Sequence, residues 1–153
     1  MKEQILSLWQ HFHEHGVRYL TIGGLAVNIY GYVRNTSDVD IYLEDTEENR
    51  HNLRAAVKAM GLGDFKELET LQFLPGWTDI SLAYGLRLDI MTNVKGLEDK
   101  SFEELLGLAT VLSLEGVPVY FLDYGNLIIA KKATNRPKDQ LDIEELEKLN
   151  GKL

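Results

Sequence analysis

Two aspartates separated by one residue, Asp38 and Asp40, have the type and spacing to bind a divalent cation. They lie in the run Asp38-Val39-Asp40-Ile41, which is typical of a β-strand. Alternation along a strand places both carboxylates on one face, about 6.5 to 7 Å apart. Because carboxylates at that distance repel each other unless a cation lies between them, the pair predicts a site for a hard metal ion such as magnesium.

A third carboxylate, Asp89, is available in the segment 86–91. The strict alternation of this segment predicts a strand with Arg87, Asp89 and Met91 on one face and apolar residues on the other. Asp89 could therefore join the pair from a neighbouring strand. Three aspartates on adjacent strands can hold two metal ions, one activating an attacking hydroxyl and one stabilising the leaving pyrophosphate of a nucleotide.

The glycine pair Gly23-Gly24 lies between a β-prone segment, 17–22, and a short predicted helix, 25–32. Such a strand-to-helix turn presents backbone N–H groups at the positive end of a helix dipole, and the missing Cβ atoms let a phosphate approach closely. Gly23 and Gly24 are thus predicted to bind nucleotide phosphates. The loop before Asp38 carries Arg34 and Thr36, which we expect close to the same phosphates.

A basic segment lies at the end of the predicted helix 124–133 and in the loop after it. It contains Lys131, Lys132, Arg136 and Lys138, and there is no acidic residue from 130 to 138. Cations at a helix C-terminus, followed by a solvated loop, would account for this composition. Alternatively, Lys131 or Lys138 binds the triphosphate of a nucleotide, whereas Lys132 is expected to be solvated.

The last predicted helix carries two aspartates, Asp139 and Asp142, on its apolar stripe. Burial of an unpaired carboxylate costs several kcal/mol. Asp142 is therefore expected to pair with Arg136, Lys131 or a backbone donor, and so to orient the basic segment toward the nucleotide. The alternative is a partly exposed surface acid.

The order of predicted elements indicates an α/β (α+β) fold, in which a mixed, twisted sheet carries the carboxylates on one face and packs helices mainly on the other. A single domain covering residues 1–153 is expected. The segment 65–73 is an uncertain strand, and Trp77 is expected to pack in the core or anchor a loop. Helices are predicted at 2–15, 25–32, 46–60, 101–107, 124–133 and 137–149, and strands at 17–22, 38–43, 78–84, 86–91, 109–114 and 117–122.

Composition excludes several classes of protein. The absence of cysteine excludes disulfides, zinc–thiolate sites and thiol catalysis. A net charge of −8 argues against nonspecific binding of nucleic acid, because no overall positive field attracts the phosphates. No apolar run approaches the length of a bilayer and no signal peptide precedes the first helix, so a cytoplasmic protein without a membrane partner is expected.

The ordered motifs resemble those of the nucleotidyltransferases of the DNA polymerase beta superfamily, in particular small bacterial members related to abortive-infection toxins and antibiotic nucleotidyltransferases. The family signature is Gly-Gly or Gly-Ser, a helix, Asp-x-Asp on a strand and a distant third Asp. A second stretch is similar to the C-terminal motif of the toxin-like branch of this family, a Lys followed by Arg-x-Lys-Asp-x-x-Asp. The matching positions are Gly23, Gly24, Asp38, Asp40 and Asp89 for the first motif, and Lys131, Arg136, Lys138, Asp139 and Asp142 for the second.

This resemblance implies transfer of a nucleoside monophosphate from an NTP to an acceptor hydroxyl, with release of pyrophosphate and two Mg²⁺ ions held by Asp38, Asp40 and Asp89. Arg136, Asp139 and Asp142 would support the nucleotide-binding residues from behind. Related proteins modify small antibiotics, proteins or tRNA ends, so the acceptor stays open. A homodimer or an antitoxin-like partner would complete the cleft.

Two alternatives compete with a resistance-type enzyme. The chain could be the toxin of a toxin–antitoxin pair, with the same chemistry on a macromolecule, or a nucleotide-binding protein that keeps the fold without turnover. Taken singly, each of the three aspartates could also be an ordinary turn or surface acid. Their joint spacing favours the metal site.

Overall fold

The computed structural model describes residues 2–74, 78–82 and 85–151. Within these residues the helices are α1 (Lys2–Glu14), α2 (Gly23–Ile29), α3 (Glu47–Ala59), α4 (Phe102–Gly107), α5 (Tyr124–Thr134) and α6 (Pro137–Asn150), with a 3₁₀ helix at Lys66–Glu69. The strands are β1 (Tyr19–Ile22), β2 (Asp38–Leu43), β3 (Asp79–Ser81), β4 (Arg87–Met91), β5 (Thr110–Leu114) and β6 (Val117–Phe121). The predicted mixed α/β fold is confirmed.

The strands form a mixed sheet in the order β3-β4-β2-β1-β6-β5. β2 is antiparallel to β1 and parallel to β4, while β3 is antiparallel to β4. This register places Asp40 beside Asp89, and Asp89 beside Asp79 on the edge strand. Three carboxylates from three strands therefore lie in one row across the sheet.

The opposite face of the central strands is the hydrophobic core. Val39, Ile41 and Leu43 are fully buried and alternate with the acidic positions of β2. Helix α1 covers this side, where Trp9 stacks on Tyr19 with ring centroids 5.2 Å apart. In β2 and β4 every second side chain is buried in this core, so the alternate, acidic positions face away from it.

Helix starts follow the capping residues of the sequence. Thr46 accepts a hydrogen bond from the Asn49 N–H at the start of α3, and Ser101 accepts one from the Glu104 N–H at the start of α4. Each bond satisfies an N–H group that the first helical turn cannot satisfy internally. Among the described residues, no helix combines the length and the apolar composition needed to cross a membrane.

Three elements differ from the predictions. The prediction of an uncertain strand at 65–73 is wrong, because this segment contains the 3₁₀ helix Lys66–Glu69. α2 begins at the glycine pair itself and is shorter than the predicted 25–32. The predicted strand 78–84 is reduced to Asp79–Ser81 in the described part, and its last two residues and Trp77 lie outside the described residues.

Candidate active site

A cleft of about 630 Å³ lies over the acidic face of the sheet. It brings together eleven of the twelve residues predicted from sequence, and the twelfth, Asp142, lies behind its wall and contacts two lining residues. Those eleven are Gly23, Gly24, Arg34, Thr36, Asp38, Asp40, Asp89, Lys131, Arg136, Lys138 and Asp139. Residues from β2, β4, α5 and the start of α6 therefore meet in one place, although 115 positions of sequence separate Gly24 from Asp139.

The floor of the cleft is negatively charged. Asp40 and Asp89 are register neighbours on parallel strands, and Asp38 lies two residues before Asp40 on the same face. Burial, reinforced by the charges of Asp89 and Asp38, raises the pKa of Asp40 to about 6, and Lys138 and Lys131 oppose that shift. Burial and the neighbouring like charges thus oppose ionisation of Asp40, and a cation above it would offset that cost.

The structure leaves no room for a side chain at either Gly23 or Gly24. Gly23 has φ +68°, and a Cβ atom there would lie 2.1 Å from Asp40 Oδ2. At Gly24 a Cβ atom would lie 2.8 Å from Thr36 Oγ1. The turn therefore packs directly against the acidic floor, and a side chain at Gly23 would displace the Asp40 carboxylate.

The loop before β2 fixes the first aspartate. Thr36 donates its hydroxyl to the Asp38 carbonyl over 3.1 Å, so it holds the backbone where the acidic strand begins. Ser37 lies 3.5 Å from the Asp38 carboxylate. Contact of Thr36 with a nucleotide stays a prediction.

An arginine on the floor was missed by reasoning from sequence. Arg87 Nε lies 3.3 Å from Asp38 Oδ1, and Arg87 Nη1 lies 3.1 Å from Asp79 Oδ2. Alternation had placed Arg87 on the acidic face, but only the parallel register shows that it lies beside Asp38. Asp79, a fourth acidic residue of this face, was also missed, because only the pairing of its strand with β4 shows that it lies beside Asp89.

A buried ion network forms the wall behind the basic segment. Asp142 accepts two hydrogen bonds from Arg34, at 2.9 and 3.0 Å, and lies 2.9 Å from Lys131 Nζ. Burial alone would raise the pKa of Asp142, but the bonds from Arg34 and Lys131 outweigh it and hold that pKa below its ordinary value. Asp142 pairs with Lys131, one of the partners expected, and also with Arg34, which was not expected.

Asp139 is the second acid of this network and is fully buried. It accepts hydrogen bonds from Arg136 Nε at 2.7 Å and from the Thr134 hydroxyl at 2.7 Å. Burial acts to raise the pKa of Asp139, yet these donors together lower it well below its usual range. Arg136 therefore pairs with Asp139 and not with Asp142.

The cleft has the donor chemistry for a magnesium ion. Asp38, Asp40 and Asp89 supply the hard oxygen ligands that Mg²⁺ prefers, and the raised pKa of Asp40 reflects negative charge that a cation would offset. In the side-chain arrangement of the described residues, no group of three or more His, Cys, Asp or Glu is positioned to hold a metal ion. The carboxylate of Asp38 instead faces Arg87, so joint coordination requires it to leave that partner.

Solved structures with the same fold are nucleotidyltransferases. A protein of Thermotoga maritima described as a nucleotidyltransferase is 14% identical, with a TM-score of 0.63 over 94% of this chain and 90% of that chain. The lincosamide antibiotic adenylyltransferase LnuA, solved with lincomycin bound, is 14% identical, with a TM-score of 0.63 over 98% of both chains. ANT(2″)-Ia in complex with adenylyl-2″-tobramycin is 16% identical, with a TM-score of 0.57 over 97% of this chain and 89% of that chain.

Family membership comes from the sequence as a whole. A model of the family described as "Nucleotidyl transferase of unknown function (DUF2204)" matches residues 1–153. A comparison with the curated proteins gives no match.

Proposed function

Because the chain belongs to the nucleotidyl transferase family DUF2204, we propose that it transfers a nucleoside monophosphate from an NTP to an acceptor hydroxyl in a magnesium-dependent reaction. One observation supports this proposal most directly. Asp40 and Asp89 lie side by side on parallel strands, and the Gly23 turn approaches Asp40 so closely that no side chain fits between them. The strand-to-helix turn at Gly23 therefore lies directly against the carboxylates that would hold the metal ions.

In the proposed reaction the hydroxyl oxygen of the acceptor attacks the α-phosphorus of the NTP. A bond forms between that oxygen and phosphorus, the bond to the β-bridging oxygen breaks, and pyrophosphate leaves. Asp38, Asp40 and Asp89 would hold two Mg²⁺ ions, which supply Lewis-acid stabilisation of the negative charge in the transition state. Asp89 also accepts the proton of the attacking hydroxyl.

The basic wall and the glycine turn would bind the nucleotide. Backbone groups of Gly23 and Gly24 face the phosphates, and Lys138, an exposed cation that lowers the pKa of Asp40, neutralises them. Arg34 and Lys131 are each bound to Asp142 and so act from fixed positions. Thr36 completes this set of nucleotide-binding residues.

Arg136, Asp139 and Asp142 would not touch the nucleotide in this scheme. They hold the basic residues through the buried ion pairs described above. A network with matched charges keeps long cationic side chains in one arrangement and so reduces the entropy lost when a phosphate binds.

The acceptor is proposed to be a small hydroxyl compound. LnuA was solved with lincomycin and ANT(2″)-Ia with adenylyl-2″-tobramycin, and both share the fold of this chain. The acidic floor favours an acceptor with a positive charge near its hydroxyl, because Asp38, Asp40, Asp79 and Asp89 lie on one face. A second protomer or a partner protein would close the open side of the cleft.

The experiment uses the purified protein, Mg²⁺, each NTP labelled at the α-phosphate, and fractionated cell extract with lincomycin and tobramycin added separately. We expect the wild type to transfer label to an acceptor and Asp38→Asn to transfer none. Asp99→Asn serves as the matched control, since Asp99 is an exposed acid outside the cleft. Equal labelling by the wild type and Asp38→Asn would disprove the proposed role of the carboxylates.

A further inference from the structure

Five basic residues line the cleft, and they differ in whether their charge is already matched. Arg34 and Lys131 are bound to Asp142, and Arg136 is bound to Asp139. Among the residues that the structure describes, no carboxylate oxygen lies within 4.0 Å of the other two cations, Lys95 and Lys138. These two ammonium groups are therefore available to a ligand.

Lys95 lies on the loop that joins β4 to α4, a segment that carries none of the predicted motif residues. The loop is held against α5 at Gly96, which has φ +93° and where a Cβ atom would lie 2.8 Å from Ala133 Cβ and 3.3 Å from the Ile129 carbonyl oxygen. The Leu97 N–H donates to the Val94 carbonyl over 3.0 Å and closes a tight turn around Lys95. The backbone of Lys95 is thus fixed relative to α5.

The loop occupies the end of the cleft away from Thr36. β2 and β4 are parallel, and Thr36 precedes the start of β2 whereas Lys95 follows the end of β4. The paired stretch spans five residues on each strand, about 13 Å of length at the usual rise. The acidic positions Asp38, Asp40 and Asp89 occupy the first three of these pairs, and Lys95 follows the strands at the end opposite to Thr36.

We propose that Lys95 is a further nucleotide-binding residue, which contacts the phosphates of the NTP from the β4–α4 loop. This inference rests on the proposed function and adds a residue to the same site. The floor repels an anion, and the chain as a whole carries a net charge of −8, so each unmatched cation in the cleft weighs heavily in phosphate binding. A lysine ammonium suits this role because it is a compact charge on a flexible stem.

The test is calorimetric titration of the folded protein with ATP, GTP, CTP and UTP in Mg²⁺, and with inorganic tripolyphosphate as a probe of phosphate binding alone. Lys95→Gln is expected to weaken binding of the preferred NTP and of tripolyphosphate by about tenfold, the usual scale for a charge-assisted contact. Lys95→Arg is expected to retain most of the affinity. Lys132→Gln, which removes an exposed lysine outside the cleft, is expected to bind as the wild type does.

Gly96→Ala provides a second variant, because it keeps the lysine and moves the loop. The added methyl group would clash with Ala133, so the loop must shift and NTP affinity should fall severalfold, with the same effect on tripolyphosphate. Circular dichroism of each variant confirms that the protein is folded.

Two outcomes of the titration distinguish failure of the Lys95 proposal from failure of the proposed function. Wild-type binding together with undiminished binding by Lys95→Gln would overturn the role of Lys95 and leave the proposed function intact, since Lys95 would then face the acceptor or solvent. A folded wild type that binds no NTP and no tripolyphosphate would overturn both.

Discussion

Buried or partly buried aspartates occur in two regions of this protein, and their surroundings are opposite. On the acidic floor, Asp40 and Asp89 lie beside each other and beside Asp38, so like charges accumulate. Behind the basic wall, Asp139 and Asp142 are almost completely buried, yet each is matched by cations at 2.7 to 2.9 Å. The pKa is raised to about 6 for Asp40 and is lowered for Asp139 and Asp142.

The contrast separates two uses of the same side chain. A carboxylate whose charge is matched within the protein stabilises the fold when it is ionised, whereas one left among like charges destabilises the fold and is ready for a cation from outside. The ion pairs of the wall thus stabilise the folded state, and the like charges of the floor destabilise it. Substitutions in the two regions should therefore shift stability in opposite directions.

The largest effect is expected for Asp40→Asn. Loss of a carboxylate proposed to bind the metal should reduce nucleotidyl transfer by about 10³-fold or more, equivalent to roughly 4 kcal/mol of activation free energy. The same change should raise the free energy of unfolding at pH 7.5 without divalent cations, because it removes a charge that burial and its neighbours oppose. A shift of the Asp40 pKa from 3.8 to about 6 corresponds to an upper limit of about 3 kcal/mol.

The sign of this effect depends on pH. The folded state holds the Asp40 proton more tightly than the unfolded state, so stability contributed by that proton is complete below about pH 4 and is lost as pH rises through about 6. The gain from Asp40→Asn should consequently be small at pH 4 and full at pH 7.5, as measured by urea unfolding. If Asp40→Asn instead lost stability at pH 7.5, the charge of Asp40 would be balanced by cations in the folded protein, as the charge of Asp142 is.

The next largest effect is expected for Asp142→Asn. This variant leaves the buried Lys131 and the partly buried Arg34 without the carboxylate that they share, and broken buried pairs of this type typically cost about 3 kcal/mol. Chemical unfolding should show that loss, while Glu144→Gln, an exposed position on the same helix, should change the free energy of unfolding by less than about 0.5 kcal/mol. If a folded Asp142→Asn protein were as inactive as Asp40→Asn, the buried ion network would take part in the reaction. The wall and the floor would then not differ in function.

Much of the site could be predicted because it depends on local pattern. Period-two alternation placed the three aspartates on one face of their strands, and the position of the glycine pair between strand and helix identified the turn. Thr46 and Ser101 identified the starts of two helices through capping chemistry. These signals extend over fewer than about ten residues, and tertiary packing did not alter them.

The rest depended on contacts that local pattern does not encode. Arg34 and Asp142 are 108 positions apart, so the partner of Asp142 could be chosen only after the fold was known. The pairing of Arg87 with Asp38 depends on strand register, and the contact of Gly96 with α5 depends on a loop without any recognised motif. The segment 65–73 was assigned as an uncertain strand, although Phe65, Leu68 and Leu71 recur at the period of three that a 3₁₀ helix has.

Two smaller effects are expected at Arg87 and at its second partner, Asp79. Arg87 is exposed and lies 3.3 Å from Asp38, so it would compete with a metal ion for that carboxylate. Arg87→Gln should therefore tighten Mg²⁺ binding about two- to fivefold in calorimetric titration at pH 7.5, with little change in stability, since exposed ion pairs contribute little.

Asp79→Asn tests the same competition with the opposite sign. Arg87 is shared between Asp38 and Asp79, and loss of Asp79 leaves its whole charge to Asp38, so Mg²⁺ should bind about twofold more weakly than to the wild type. Opposite shifts for the two variants would identify Arg87 as a competitor for the metal-binding carboxylate. Weaker Mg²⁺ binding by both would instead show that Arg87 holds Asp38 in the position that the ion requires, and the floor would then contain one matched pair of the kind found in the wall.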